Sequence, residues 1–227
     1  MITEAVKYGV RPHRRVVENT NHCEIVVVLD RSGSMSTIAN DMKGGFDAMV
    51  NEQRKGVGTC NLTLVQFDSE EIETVYTAKP IAEVPPLQFI PRGLTPLLDA
   101  FGKALADTQA RVTDKNTRVF FMVITDGQEN VSSEWTREKI KALVEERTKD
   151  GWVFQFLGAN IDSFAEAGGL GIAANTTMNY GTTSKGVSAV YGITSNKLAN
   201  FRSARTLGEA VGSMSFTTEE REAAKGE

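Results

Sequence analysis

Three short stretches of this sequence carry hard-oxygen side chains at spacings that would suit a divalent cation. Asp30-Arg31-Ser32-Gly33-Ser34 offers one carboxylate and two hydroxyls at alternating positions, and Gly33 lets the chain bend tightly between the serines. Arg92-Gly93-Leu94-Thr95-Pro96 offers a hydroxyl, and Thr125-Asp126-Gly127 a second carboxylate. Oxygen donors of this kind suit Mg2+, Mn2+ or Ca2+ rather than metals that prefer sulfur. Each stretch taken alone has a plainer reading. D-x-S-G-S is also a turn whose Asp or Ser caps the next helix. Thr95 before Pro96 is also an ordinary helix start, with Thr as N-cap and Pro at the first position. Asp126 before Gly127 is also a common turn.

What separates the two readings is where the stretches lie. Residues 24–30 form a β-branched run of the kind found in strands buried on both faces. A helix is predicted over 40–55, closed by Gly56 and Gly58, and a second strand over 62–67. A tight turn at Asp68-Ser69 leads to an edge strand over 72–77, whose residues alternate apolar and polar. After a proline-rich loop over 85–96, Leu97, Phe101, Leu105, Thr108 and Val112 mark one face of a helix. A strand over 119–124, a helix over 135–149 and a strand over 152–157 follow. Past Asn160 the pattern weakens to a short helix over 163–167, a strand over 177–180 and a last helix from Val187 to Phe201. Such alternation predicts an α/β fold: a doubly wound, mostly parallel central sheet with one antiparallel edge strand and helices on both faces. Asp30 and Asp126 then leave the carboxyl edge of the sheet, where ligands of such folds bind, and Thr95 opens a helix beside them.

The ordered set D-x-S-G-S, Thr, T-D-G resembles the metal-ion-dependent adhesion site (MIDAS) of von Willebrand factor A domains, also called integrin I domains. Residues 23–160 carry the resemblance well and the remainder weakly. The resemblance implies a Rossmann-like fold and a bound divalent cation, Mg2+ foremost, with Mn2+ or Ca2+ as alternatives. It implies that Ser32, Ser34 and Thr95 touch the ion and that Asp30 and Asp126 act directly or through waters. It further implies a non-enzymatic domain in which an open position on the ion takes an Asp or Glu carboxylate from a partner protein, with the chain serving as a subunit of a larger intracellular assembly. Arg31, Met35, Ser36, Arg92, Leu94, Gln128, Glu129 and Asn130 are the expected rim that would select the partner, Glu129 being close enough in sequence to compete for the ion.

The whole chain sets the remaining bounds. Its 227 residues suit one domain, 41% apolar and 24% charged, which is ordinary globular composition. The formal net charge of −4 gives no basic field for nucleic acid. No apolar run reaches the roughly 18 residues of a membrane span, and the first twenty residues lack the apolar core of a signal peptide. Two cysteines, Cys23 and Cys60, make no disulfide framework and read as buried thiols at strand starts. A cytoplasmic location is the expectation. Residues 1–22 read as a locally basic extension, 23–205 as the domain, and 206–227 as a polar, flexible tail. Two other functions are compatible with parts of this pattern. In a metal-dependent phosphohydrolase or phosphotransferase, Asp30 would be the nucleophile, but that chemistry wants a second acid where Ser32 stands. The other is a structural domain with a vestigial metal site. Gly168-Gly169-Leu170-Gly171 lacks the strand and helix of a dinucleotide fingerprint and reads as a loop, and His13 and His22 have no cysteine partners for zinc.

Overall fold

The computed structural model describes residues 22–227. All of the expected N-terminal extension except His22 lies outside the described residues. His22 itself is bonded to Thr59 and Glu24, at 2.8 Å each.

Six strands form one sheet: β1 (Cys23–Asp30), β2 (Cys60–Phe67), β3 (Ile72–Pro80), β4 (Arg118–Thr125), β5 (Val153–Gly158) and β6 (Thr177–Asn179). Their spatial order is β3-β2-β1-β4-β5-β6, parallel throughout except for the antiparallel β2–β3 pair. The doubly wound architecture and its single antiparallel edge are therefore as the sequence pattern predicts. Helices α1 (Ala39–Arg54), α2 (Leu97–Arg111), α3 (Arg137–Lys149), α4 (Ser163–Gly169), α5 (Ser184–Ser203), α6 (Leu207–Gly212) and α7 (Thr218–Ala224) cover both faces.

The period-two geometry of strands divides the core in two. Ile25, Val27 and Leu29 of β1 and Phe120, Met122 and Ile124 of β4 face α1 and α5, where Phe46, Tyr191 and Phe201 fill the layer. Val26, Val28, Val119, Phe121 and Val123 face α2, α3 and α4. There Phe101 of α2 lies 5.0 Å from Phe121 and that ring 5.6 Å from Phe154. Because both faces are covered, β1 and β4 read as unbroken apolar runs rather than alternating ones.

Two segments depart from the sequence expectation. Residues from 206 onward are not a flexible tail. Thr206 and Thr217 each form a capping box, with Glu209 and Glu220, that starts α6 and α7. Ala210, Met214, Phe216 and Ala224 are buried against the α1/α5 layer. Arg221 of α7 donates to the carbonyls of Ala174 and Thr177, covering the edge beside β6. A few apolar residues spread over two short helices fell below the threshold of a periodic pattern. The 168–171 stretch is only half a loop: Gly168 and Gly169 end α4, and Leu170 and Gly171 form the turn that closes it, the amides of Gly171 and Ile172 returning to Gly168 and Ala167 oxygens and Gly171 taking φ +79°, which favours glycine. Among the described residues no helix is long and apolar enough to cross a membrane.

Candidate metal centre

β2 lies on one side of β1 and β4 on the other, so the connections leaving β1 and β4 run to opposite faces of the sheet. A crevice opens between them at the carboxyl edge, the switch point where ligands of open α/β sheets bind. Asp30, the last residue of β1, and Asp126, the first after β4, stand at its two sides.

Hydrogen bonds join four of the five candidate side chains. Ser34 Oγ donates to Asp126 Oδ1 at 2.6 Å, and the Ser32 and Ser34 hydroxyls are 3.1 Å apart. Asp30 Oδ1 accepts the Ser32 amide at 2.7 Å, and Asp30 Oδ2 accepts the Thr125 hydroxyl at 2.6 Å. Thr95 meets the same crevice through Gly127, where a β-carbon would stand 3.0 Å from Thr95 Oγ1. Its backbone is pinned from the β4 side: Asn130 Oδ1 accepts the Thr95 amide at 3.0 Å, and the Asn130 amide donates to the Thr95 carbonyl at 3.3 Å.

Thr95 is not the N-cap of the following helix. Pro96 occupies that position with no side-chain cap, and α2 begins at Leu97. The first-turn amides are satisfied from another loop: Leu98 N–H donates to Glu129 Oε2 at 2.8 Å and Asp99 N–H to Ser132 Oγ at 3.1 Å. In return the Asp99 carboxylate accepts the amides of Ser133, Glu134 and Trp135. These bonds hold the 129–135 segment out of helical conformation, so α3 starts at Arg137, capped by Thr136, two residues later than the apolar pattern implies. The hydroxyl of Thr95 is thereby left free of a capping role.

The electrostatics are one-sided. Burial pushes the Asp30 carboxyl up to about 6, against the opposing effect of its Thr125 and Ser32 hydrogen bonds. Burial likewise raises Asp126, and its bond from Ser34 offsets that only in part. The nearby arginines, Arg31 and Arg92, pair instead with Asp68. Among the described residues no cluster of three or more His, Cys, Asp and Glu could hold a metal. The candidate set has two carboxylates and draws its other donors from hydroxyls.

The expected rim is corrected at three positions. Arg31 is 6% exposed, with its guanidinium on Asp68 (2.5 Å) and Glu73 (2.6 Å). Met35 is fully buried in the α1/α5 layer. Glu129 is spent on the amides of Leu98, Val131 and Ser132 and the Ser132 hydroxyl, and so is not a competitor for the crevice. Ser36, Leu94, Gln128 and Asn130 are exposed and Arg92 half-buried, leaving them to form the rim. Sequence reasoning missed Thr125 as the second anchor of Asp30. Its only sign was a hydroxyl residue closing an otherwise apolar strand.

The sheet order, the single antiparallel edge and the two-sided helical cover are shared with solved structures of the von Willebrand factor A fold. Proximal thread matrix protein 1 from the mussel byssus superposes with a TM-score of 0.57 at 17% identity, over 81% of this chain and 47% of its own. A second structure of that protein, described as having a zinc-occupied MIDAS motif, gives 0.58 at 17% identity with the same coverage. A von Willebrand factor type A protein from Catenulispora acidiphila gives 0.53 at 11% identity, over 85% of this chain and 43% of its own. The chain thus spans about half the length of these solved proteins. No family model and no curated protein sequence matches it.

Proposed function

We propose that this chain is a metal-dependent protein-binding domain. Ser32, Ser34, Thr95, Asp30 and Asp126 would hold a divalent cation, Mg2+ foremost with Mn2+ or Ca2+ as alternatives. The bound ion would supply a Lewis-acidic position for an Asp or Glu carboxylate of a partner protein. The carrying observation is a pair of buried carboxylates, Asp30 and Asp126, with hydroxyl and amide donors around them and no ion-pair partner among the described residues. Buried charges are ordinarily paired or bound to metal, and a cation fits this donor set of hard oxygens. That a solved protein of the same fold is described with zinc at its MIDAS motif supports the reading.

This chain's own residues do the rest. Thr125 and the Ser32 amide orient Asp30, Ser34 bridges to Asp126, and Gly127 leaves room for the Thr95 hydroxyl. The exposed Leu94, Ser36, Gln128 and Asn130 would meet the partner around its carboxylate. The reading includes an intracellular setting within a larger assembly. A phosphotransferase reading is less favoured, because Asp30 is fully buried and both its carboxylate oxygens accept hydrogen bonds, a poor disposition for a nucleophile.

The test is calorimetric titration of the chain with Mg2+ and Mn2+, followed by affinity capture in Mg2+ or EDTA with wild type and Asp30→Ala. Saturable uptake and EDTA-sensitive capture, both lost in Asp30→Ala, are the expected results. No uptake at millimolar Mn2+, or capture indifferent to EDTA and to the substitution, would overturn the reading.

A further inference from the structure

The two arginines closest in sequence to the candidate ligands turn away from them. Arg31 lies between Asp30 and Ser32, and Arg92 three residues before Thr95. Both guanidiniums converge on Asp68, just past the end of β2, through Arg31 Nε at 2.5 Å and Arg92 Nε at 3.0 Å, each to Oδ2. The other oxygen, Oδ1, accepts the amides of Glu70 at 2.7 Å and Glu71 at 3.0 Å. The Asp68 side chain has no solvent exposure, so these four donors are what make its burial tolerable. Glu73 at 2.6 Å takes the other arm of Arg31, and Glu70 at 3.4 Å another nitrogen of Arg92.

Backbone bonds run through the same hub. The Arg31 amide donates to Phe67 O at 2.9 Å, the Arg92 amide to Arg31 O at 2.8 Å, and the Gly33 amide to Gly93 O at 3.1 Å. The Leu94 amide donates to Ser69 Oγ at 2.9 Å. Gly93 has φ +66°, and a β-carbon there would stand 2.6 Å from that same Ser69 hydroxyl, so a side chain would be strained and would displace the acceptor of the Leu94 amide. The loop carrying Ser32 and Ser34, the turn after β2 and the loop carrying Thr95 are therefore one tied unit, with a single buried carboxylate at its centre.

We infer that Asp68 is a positioning residue for the candidate cation site: by holding Arg31 and Arg92 it fixes both hydroxyl-bearing loops and keeps two guanidinium charges away from Asp30 and Asp126. The inference rests on the cation-binding reading above. Asp68 supplies no ligand atom. It acts a step further out than groups bonded directly to metal ligands, whose loss costs about ten- to hundred-fold in metal affinity, so the low end of that range is the expected size. It also settles a conflict of charge. A free guanidinium beside Asp30 would satisfy that carboxylate itself and repel an incoming cation, whereas one committed to Asp68 and Glu73 does neither.

Asp68→Asn keeps the side-chain shape and removes the charge. Mn2+ affinity, thermal midpoint in EDTA, and amide hydrogen exchange at Gly33, Arg92 and Leu94 in the metal-free protein are measured on wild type and variant. The expected result is a folded variant with Mn2+ affinity weakened about tenfold and faster exchange at those three amides. Unchanged affinity and unchanged exchange in a folded variant would overturn the inference. Should wild type take up no Mn2+ while Asp68→Asn still speeds exchange, the cation reading fails and the tying of the loops stands. If Asp68→Asn does not fold, Ser69→Ala, which removes only the acceptor of the Leu94 amide, and Arg92→Gln carry the test. Both should weaken Mn2+ binding severalfold while leaving wild-type folding, and an affinity equal to wild type in both would again overturn it.

Discussion

Replacing Asp30 with Asn should stabilise the metal-free protein at neutral pH and abolish its response to divalent ions. In the unfolded chain an Asp carboxyl titrates near 3.9. In the folded protein burial raises Asp30 to about 6. The folded state therefore binds the proton more tightly than the unfolded state, and stability falls as pH rises from about 4 to about 6. A difference of about 2 units corresponds to about 3 kcal/mol against the folded state by pH 7. Asn removes that charge and can keep the local bonds. Its oxygen can accept the Ser32 amide, and its NH2 group can donate to Thr125, whose hydroxyl already lies 3.1 Å from Gly127 O as an alternative acceptor. Allowing for weaker neutral hydrogen bonds, a net gain of about 1–2 kcal/mol remains, about 2–8 °C in Tm for a chain of this size. Thermal unfolding is followed in EDTA at pH 4 and pH 7.5, then at pH 7.5 with millimolar Mg2+. The variant should melt level with or slightly below wild type at pH 4, and higher than wild type at pH 7.5 in EDTA. Mg2+ should raise wild type alone, by RT ln(1 + [L]/Kd). A variant no more stable than wild type at pH 7.5 in EDTA would show that the Asp30 charge is not an uncompensated cost, and the main support for the cation reading would go with it.

Two further substitutions probe separate parts of the structure. Gly127→Ala brings a β-carbon to 3.0 Å from Thr95 Oγ1, which should displace that hydroxyl and weaken Mn2+ uptake while shifting the EDTA midpoint by less than about 1 kcal/mol. Full affinity in the variant would remove Thr95 from the donor set. Thr217→Ala deletes the capping hydroxyl of α7, at a cost of about 1 kcal/mol, and should speed tryptic cleavage at Arg221 and Lys225. Equal cleavage rates in the two proteins would contradict docking of the C-terminal helices.

The sheet was legible because burial on both faces leaves an unmistakable trace. β1 and β4 must be apolar at every position, and runs such as Ile25 to Leu29 admit few other readings. The helices α2 and α5 were legible through single apolar faces long enough to show a period. The C-terminal helices were not, because α6 and α7 are 6 and 7 residues long and each buries little more than one alanine. Their capping boxes, Thr206 with Glu209 and Thr217 with Glu220, were in the sequence all along. They are local signals of a helix start that carry no information about what the helix packs against.

The candidate site divides along the same line. Residues at the ends of buried strands were placed correctly at the carboxyl edge, because strand direction in a parallel sheet fixes which end they occupy. The rim was misjudged where sequence proximity stood in for direction. In an extended turn, alternate side chains point oppositely. If Asp30 and Ser32 face the crevice, Arg31 must face away, and away from the crevice lies β2, whose Gln66 and following Asp68 receive it. The same reasoning requires a buried anion near the end of β2 to receive that guanidinium. Asp68 was seen in the sequence only as a turn former, which it also is through the Glu70 and Glu71 amides. One carboxylate therefore does both jobs, closing the β2–β3 turn and holding the arginines of two separate loops, and pattern reading sees only the first because the second depends on contacts 37 and 24 residues away in the chain.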